Sequence, residues 1–208
     1  YVDEQSFAHF PGLPVLLRAC TFSDSLVFAV AAGVALTNAS FVASAVLFHR
    51  YSLTVLDERL SRRALLLFCF SPASVFFSSV YTESPYALFT LTGLIFLSKD
   101  QRTLASLAFA VGTCFRSNGI VNAGFLCHDA FLRAVKGRSC VPILVAVGGS
   151  VLVVLPNILF LIYGYVRLCL ETGEDGTRHG RVWCNDRLPN VYTYVQHAYW
   201  ELGLFSYW

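Results

Sequence analysis

The chain has 208 residues, 56% of them hydrophobic and 13% charged, with a mean hydropathy of +0.59 and a formal net charge of +2. That is too apolar for an ordinary soluble domain, and long apolar runs broken by short charged ones predict an all-α polytopic membrane protein. The basic residues sit in short clusters between apolar runs and make no patch of nucleic-acid size, so nucleic acid is set aside as a partner.

The sequence starts at Tyr1, has no methionine and ends in the aromatic-rich "LGLFSYW". It reads as an internal fragment in which no signal peptide can be diagnosed. The first span expected is 26–48, uncharged and long enough for the ~30 Å hydrocarbon layer. Asn38-Ala39-Ser40 matches a glycosylation sequon, but it lies at the centre of this span, out of reach of a lumenal enzyme. A charged connector holding Arg50, Arg59, Arg62 and Arg63 follows, then a second span, 64–80, and "YTESPY", which has neither Lys nor Arg. The positive-inside rule makes the arginine connector cytoplasmic and places Glu83 on the opposite side.

A short run, 86–97, leads back to "SKDQR", which is again cytoplasmic in character. Residues 104–127 admit two readings: one tilted helix, or two half-length helices, 104–115 and 118–132, meeting at Arg116-Ser117-Asn118-Gly119. Asn-Gly is a turn signal, and polar backbone at depth is tolerated where it lines a cavity. Lys and Arg counting slightly favours the single span. The last long span is 143–166, with Pro156 expected to kink it. A loop, 167–208, closes the chain; its Tyr and Trp density is that of a membrane interface.

Seven cysteines are present. Most lie in or beside apolar runs, and none has metal-ligand spacing. Cys169 and Cys184 share a polar loop, and a disulfide between them is open if that loop faces an oxidising lumen.

The polar residues in or beside apolar runs are the informative ones, because an ionisable group in a bilayer is costly unless paired or hydrated. Arg116 is the most expensive, since its guanidinium keeps its proton. It could meet a phosphate, whose oxygens match the guanidinium fork, or pair with Glu83, or snorkel to an interface. Glu83 could equally be a plain helix-start residue, with Pro85 in the first turn of the next helix. His9 and His197 could hydrogen-bond a phosphate or sugar, or be interfacial side chains. No Ser-His-Asp order, zinc spacing, P-loop or dinucleotide glycine pattern occurs.

Four stretches, "DEQSFAHFPGLP" (3–14), "LLLFCFSPASVFFSSVYTESPYALF" (65–89), "FRSNGIVNAGF" (115–125) and "YTYVQHAYWELGLFSYW" (192–208), resemble in the same order the GPI mannosyltransferase 2 family, phosphatidylinositol-glycan class V. The resemblance implies a GT-C type glycosyltransferase, multi-pass in the endoplasmic reticulum membrane, with its active site lumenal. Such an enzyme adds the second mannose, in α-1,6 linkage, from dolichyl-phosphate mannose to the GPI anchor precursor. Its partners are these two lipid-linked substrates, and no cofactor or metal is implied. The GT-C arrangement favours the hairpin reading of 104–127 and a lumenal loop after Val166.

By the same resemblance Arg116 holds the donor phosphate, and Glu83, Asn118, Gln196, His197, Tyr199 and Trp200 wall the substrate cradle. The family's catalytic aspartate is expected upstream of Tyr1, so the fragment itself lacks it, and Asp3 and Glu4 fall downstream of that position. His9 departs from the family, which tends to an aromatic there. Alternatives are another dolichyl-phosphate-mannose-dependent GT-C mannosyltransferase and a small-solute transporter. The latter predicts an internal repeat of interrupted helices, and the Arg116 turn has no second copy.

Overall fold

A computed structural model of the chain describes residues 3–21, 25–137, 141–170 and 181–201. All regular structure among them is helical. By internal packing the chain falls into two compact units, Pro11–Pro156 and Tyr1–Phe10 with Asn157–Trp208.

The larger unit begins with α1 (Gly12–Cys20) and α2 (Leu26–Ser52), the latter unbroken because its 27 residues contain no proline. Asp57 starts α3 (Glu58–Cys69): its carboxylate accepts from the Leu60 N–H at 3.2 Å, a cap worth about 1 kcal/mol. The end of α2 is tied to α3 by a buried contact between the Ser52 and Ser61 hydroxyls, and Ser61 Oγ lies 2.9 Å from His49 Nδ1.

Over 64–80, expected as one span, the helix breaks. α3 stops at Cys69, and a five-residue α4 (Ser74–Ser78) follows a turn at Ser71-Pro72. Proline has no N–H and disfavours helical geometry in the residue before it. Ser71 uses the gap: its carbonyl accepts from Ser74 N at 2.8 Å and its hydroxyl from Ala73 N at 3.3 Å.

Next come α5 (Glu83–Ser98) and α6 (Arg102–Thr113), joined through Asp100 at φ 63°, a left-handed conformation that aspartate tolerates. α5 packs against both α2 and α6. Gly93 on α5 makes the second contact possible, since a Cβ there would run into the fully buried ring of Phe109 on α6. Residues 104–127 are two helices: α6 ends at Thr113, a 3-10 turn covers Ser117–Asn122, and α7 (Ala123–Gly137) follows.

The last long helix, α8 (Val141–Tyr165), carries Pro156 inside it and continues as a π turn, Val166–Leu170. Phe109, Ala105, Leu126, Ala130, Ala146 and Val153 form the larger unit's core. Between the start of α6 and the middle of α7, Arg102 Nε donates to Asp129 Oδ2 at 2.9 Å, and Arg133 Nε to both Asp129 oxygens at 2.9 Å.

α2 and α8 are long and apolar enough to cross a membrane. Their packing has the pattern expected in lipid. On α2 the residues turned inward are Gly33, Thr37, Ser40 and Ser44, while Val27 is 80% exposed and Val42 63% exposed. Small residues let backbones approach where lipid removes the hydrophobic drive between helices. Ser44 and Asn38 add hydrogen bonds, to Ser84 O at 3.4 Å and Ser78 O at 3.0 Å. Asn38, the residue of the discarded sequon, is thus a packing residue.

In the smaller unit, Phe7 stacks on Phe160 and Phe10 meets it tilted, at centroid distances of 5.4 and 4.8 Å, over a core of Leu168, Trp183, Val191 and Val195. Asn190 caps α9 (Val191–Trp200), accepting from Thr193 N at 3.0 Å. A disulfide joins Cys169 to Cys184, with Cα atoms 5.8 Å apart.

Candidate functional site

The Arg116 turn is built from the ends of two helices and a docked segment. Thr113 closes α6 by donating its hydroxyl to Phe109 O at 3.1 Å. Phe115 is 5% exposed and stacks on Phe89 at 5.7 Å, which anchors the turn. The Gly12 N–H donates to Cys114 O at 2.8 Å, so the start of α1 meets the "CFRSNG" stretch directly. Gly119 N donates back to Arg116 O at 2.9 Å, and the missing side chain at Gly119 is what allows the turn to lie on the Thr113 backbone. Asn122, 3% exposed, donates from Nδ2 to Thr90 Oγ1 at 3.1 Å and fixes the turn's far end to α5.

On this frame Arg116 Nη1 is hydrogen-bonded and ion-paired to Glu83 Oε1, the side chains being 30% and 22% exposed. Glu83 is the first residue of α5, where a carboxylate also meets the positive end of the helix dipole. It is held there by Ser84, fully buried, whose hydroxyl donates to Phe77 O at 2.5 Å. The pair is unsaturated on both sides. Glu83 Oε2 is buried with no hydrogen-bond partner, and Arg116 Nε and Nη2 have none among the described residues. A native buried acceptor left open calls for an explanation, and here the open acceptor lies beside open guanidinium donors. Such a pair can take an anion on its guanidinium and a hydroxyl on its carboxylate. Asn118 stands exposed on the same turn.

Gln196, His197, Tyr199 and Trp200 all lie on α9, in the smaller unit. Gln196 is half-buried and the other three are exposed. The Tyr199 hydroxyl donates to Glu4 Oε2 at 3.3 Å. Its phenol is held above the ordinary value, first by desolvation and then by the Glu4 charge. Trp200 lies 6.0 Å from the His9 ring.

Glu4 is the residue that the sequence reading passed over. Its Oε1 accepts from Arg181 Nη1 and Trp183 Nε1, each at 2.9 Å, and its Oε2 from Tyr199, so one carboxylate gathers donors from two segments far along the chain, 181–183 and α9. A signal existed in "VWC": a tryptophan next to a bonded cysteine is buried, and its N–H then needs an acceptor. Among the described residues no cluster of His, Cys, Asp and Glu could hold a metal ion.

Comparison with known proteins agrees with the four stretches. The chain is 33% identical to the GPI alpha-1,6-mannosyltransferase 2 of Cricetulus griseus and 34% identical to that of Mus musculus, covering 100% of this chain and 49% of each relative. It is 29% identical to the GPI mannosyltransferase 2 of Chaetomium globosum, covering 54% of that protein. The chain therefore spans about half the length of the curated relatives it matches. No solved structure matches it significantly. The mannosyltransferase (PIG-V) family matches across residues 1–208, through the helices that carry the Arg116 turn as well as the segments gathered by Glu4, and the chain belongs to that family.

Proposed function

We propose that the protein of which this chain is part transfers the second mannose, in α-1,6 linkage, from dolichyl-phosphate mannose to the GPI anchor precursor. The reaction is placed at the lumenal face of the endoplasmic reticulum membrane. The observation that carries the reading is the Arg116–Glu83 pair, with guanidinium donors and a carboxylate oxygen left open at a turn. The relatives' names support the linkage and the acceptor. The Cys169–Cys184 disulfide supports a lumenal side for the segment after α8, since such bonds persist in oxidising compartments.

In this mechanism an acceptor hydroxyl oxygen attacks the anomeric carbon of mannose while the bond from that carbon to the lipid phosphate breaks. The hydroxyl proton passes to a carboxylate, and the phosphate leaves with the bonding electron pair. Arg116 meets the departing charge with its free donors, and Asn118 is placed beside it. Removing one such preorganised donor from a transition state costs roughly 10²–10³ in rate. Glu83 orients Arg116 through its Oε1. The proton-accepting carboxylate is the aspartate that the family resemblance places upstream of Tyr1. Gln196, His197, Tyr199 and Trp200 are assigned to the substrate cradle.

The test is rescue of cells lacking the second GPI mannose by the full-length gene, read as surface GPI-anchored protein. Wild type restores it, and Arg116→Ala at equal expression does not. A wild type that restores nothing refutes the reaction; an Arg116→Ala variant that rescues fully refutes the phosphate role.

A further inference from the structure

The smaller unit holds a second place where polar side chains converge. Beside Glu4 lies an open cleft of about 420 Å³, lined by Asp3, Glu4, Gln5, Arg181 and Tyr199. That volume falls within the ~300–1,000 Å³ of small-molecule sites. Glu4 itself is spent: it is 13% exposed and accepts from Arg181, Trp183 and Tyr199. Its role is to hold the wall in place. Asp3 and Gln5 differ, being exposed, with side chains that have no partner among the described residues. Arg181 gives only Nη1 to Glu4, which leaves its other nitrogens available. The cleft thus presents a carboxylate that only accepts, a carboxamide that does both, a guanidinium that only donates, and the half-exposed ring of Tyr199.

The charge balance decides the ligand. Among the described lining residues Arg181 matches Glu4, and Asp3 leaves them with net negative charge, which repels a phosphate. Alternating donors and acceptors around an aromatic face suit a hydroxyl-rich ring, whose neighbouring hydroxyls each give and take a hydrogen bond. We propose that this cleft binds a sugar ring of the acceptor glycan, with Asp3 and Gln5 as its direct contacts and Glu4 as their positioning residue. The assignment rests on the transferase reading above, and it separates the labour chemically: phosphate to the Arg116 turn, carbohydrate to the Glu4 cleft.

The experiment uses full-length protein in microsomes lacking the endogenous enzyme, with labelled dolichyl-phosphate mannose as donor and the singly mannosylated GPI precursor as acceptor. Asp3→Asn and Gln5→Ala are compared with wild type. Each variant is expected to raise the acceptor KM about 5- to 30-fold, with kcat and donor KM within about two-fold, because a contact made equally in ground and transition states moves KM alone. Both side chains are exposed, so each variant decides independently, and formation of the Cys169–Cys184 bond reports that the unit has folded. Unchanged acceptor KM in either variant overturns the cleft assignment, as does a rise confined to the donor KM, which would put the donor's mannose there. Failure of wild type itself to transfer to this acceptor overturns the proposed reaction instead.

Discussion

Replacing Gly12 with alanine tests whether two distant stretches of sequence meet as the structure draws them. An added Cβ would stand 2.6 Å from Cys114 O, 2.8 Å from its carbonyl carbon and 3.0 Å from the Phe115 ring. Ordinary contact begins near 3.4 Å, so the shortfall is roughly 0.8 Å against backbone, which cannot rotate away. Either the overlap is absorbed as strain, about 1–3 kcal/mol, or α1 retreats and the 2.8 Å bond from Gly12 N to Cys114 O is lost, about 1 kcal/mol more. The expected destabilisation is about 2–4 kcal/mol, which for a chain of this size lowers the melting temperature by on the order of 5–15 °C.

The control is Gly148→Ala on α8, where a Cβ meets nothing within 4 Å and helix propensity favours alanine by about 1 kcal/mol. The assay is thermal unfolding of the full-length protein in detergent, followed by rescue of surface GPI-anchored protein. Gly12→Ala should melt early and rescue poorly, because the Arg116 turn loses its support, and Gly148→Ala should do neither. A Gly12→Ala protein that melts with wild type would refute the contact. Equal losses in both variants would show that the effect is general to glycine and not to the Cys114 carbonyl.

Cys169→Ser with Cys184→Ser opens a loop of 15 residues and should cost about 3 kcal/mol; thiol labelling before and after reduction checks the bond, and equal labelling in both states would show it absent. Asp129→Ala strips both Arg102 and Arg133 of their shared acceptor, and after discounting for solvent screening should cost about 1–2 kcal/mol, read as an earlier melt that Arg133→Ala does not deepen additively. Trp183→Phe removes the Nε1 donor and half of a fully buried indole, so a loss of about 2–4 kcal/mol is expected, of which the share due to Nε1, about 1 kcal/mol, should disappear in a Glu4→Ala background that has no side-chain acceptor. Phe109→Ala empties the hole beside Gly93 and should cost about 3–5 kcal/mol, more than any truncation of the exposed apolar residues on α2.

Much of the helical framework was legible because the signal is local. α2 and α8 are apolar over more than a bilayer's length, and the Asn118-Gly119 step marks the interruption between α6 and α7. Ser71-Pro72 carried an equally local signal for the break between α3 and α4, but the apolar residues on both sides of it masked the turn. The Arg116–Glu83 pairing could be posed from composition, as two costly charges in an oily chain, yet choosing between it and an anion required knowing which atoms remain open. The Glu4 cluster was out of reach for a different reason. Its members are up to 195 residues apart, and nothing in a carboxylate's neighbours along the chain announces which tryptophan will lie over it.

The cross-link between Cys169 and Cys184 also makes membrane orientation a folding problem. On the lumenal placement proposed above, a chain threaded into the bilayer the wrong way round would leave both thiols in a reducing compartment, so the segment that carries Trp183 would not be tethered to the end of α8. The donors that Trp183 and Arg181 bring to Glu4 would then lack their anchor. An insertion error is thereby converted into an unpaired cysteine and an uncovered tryptophan, features that a quality-control system can detect without reading topology at all.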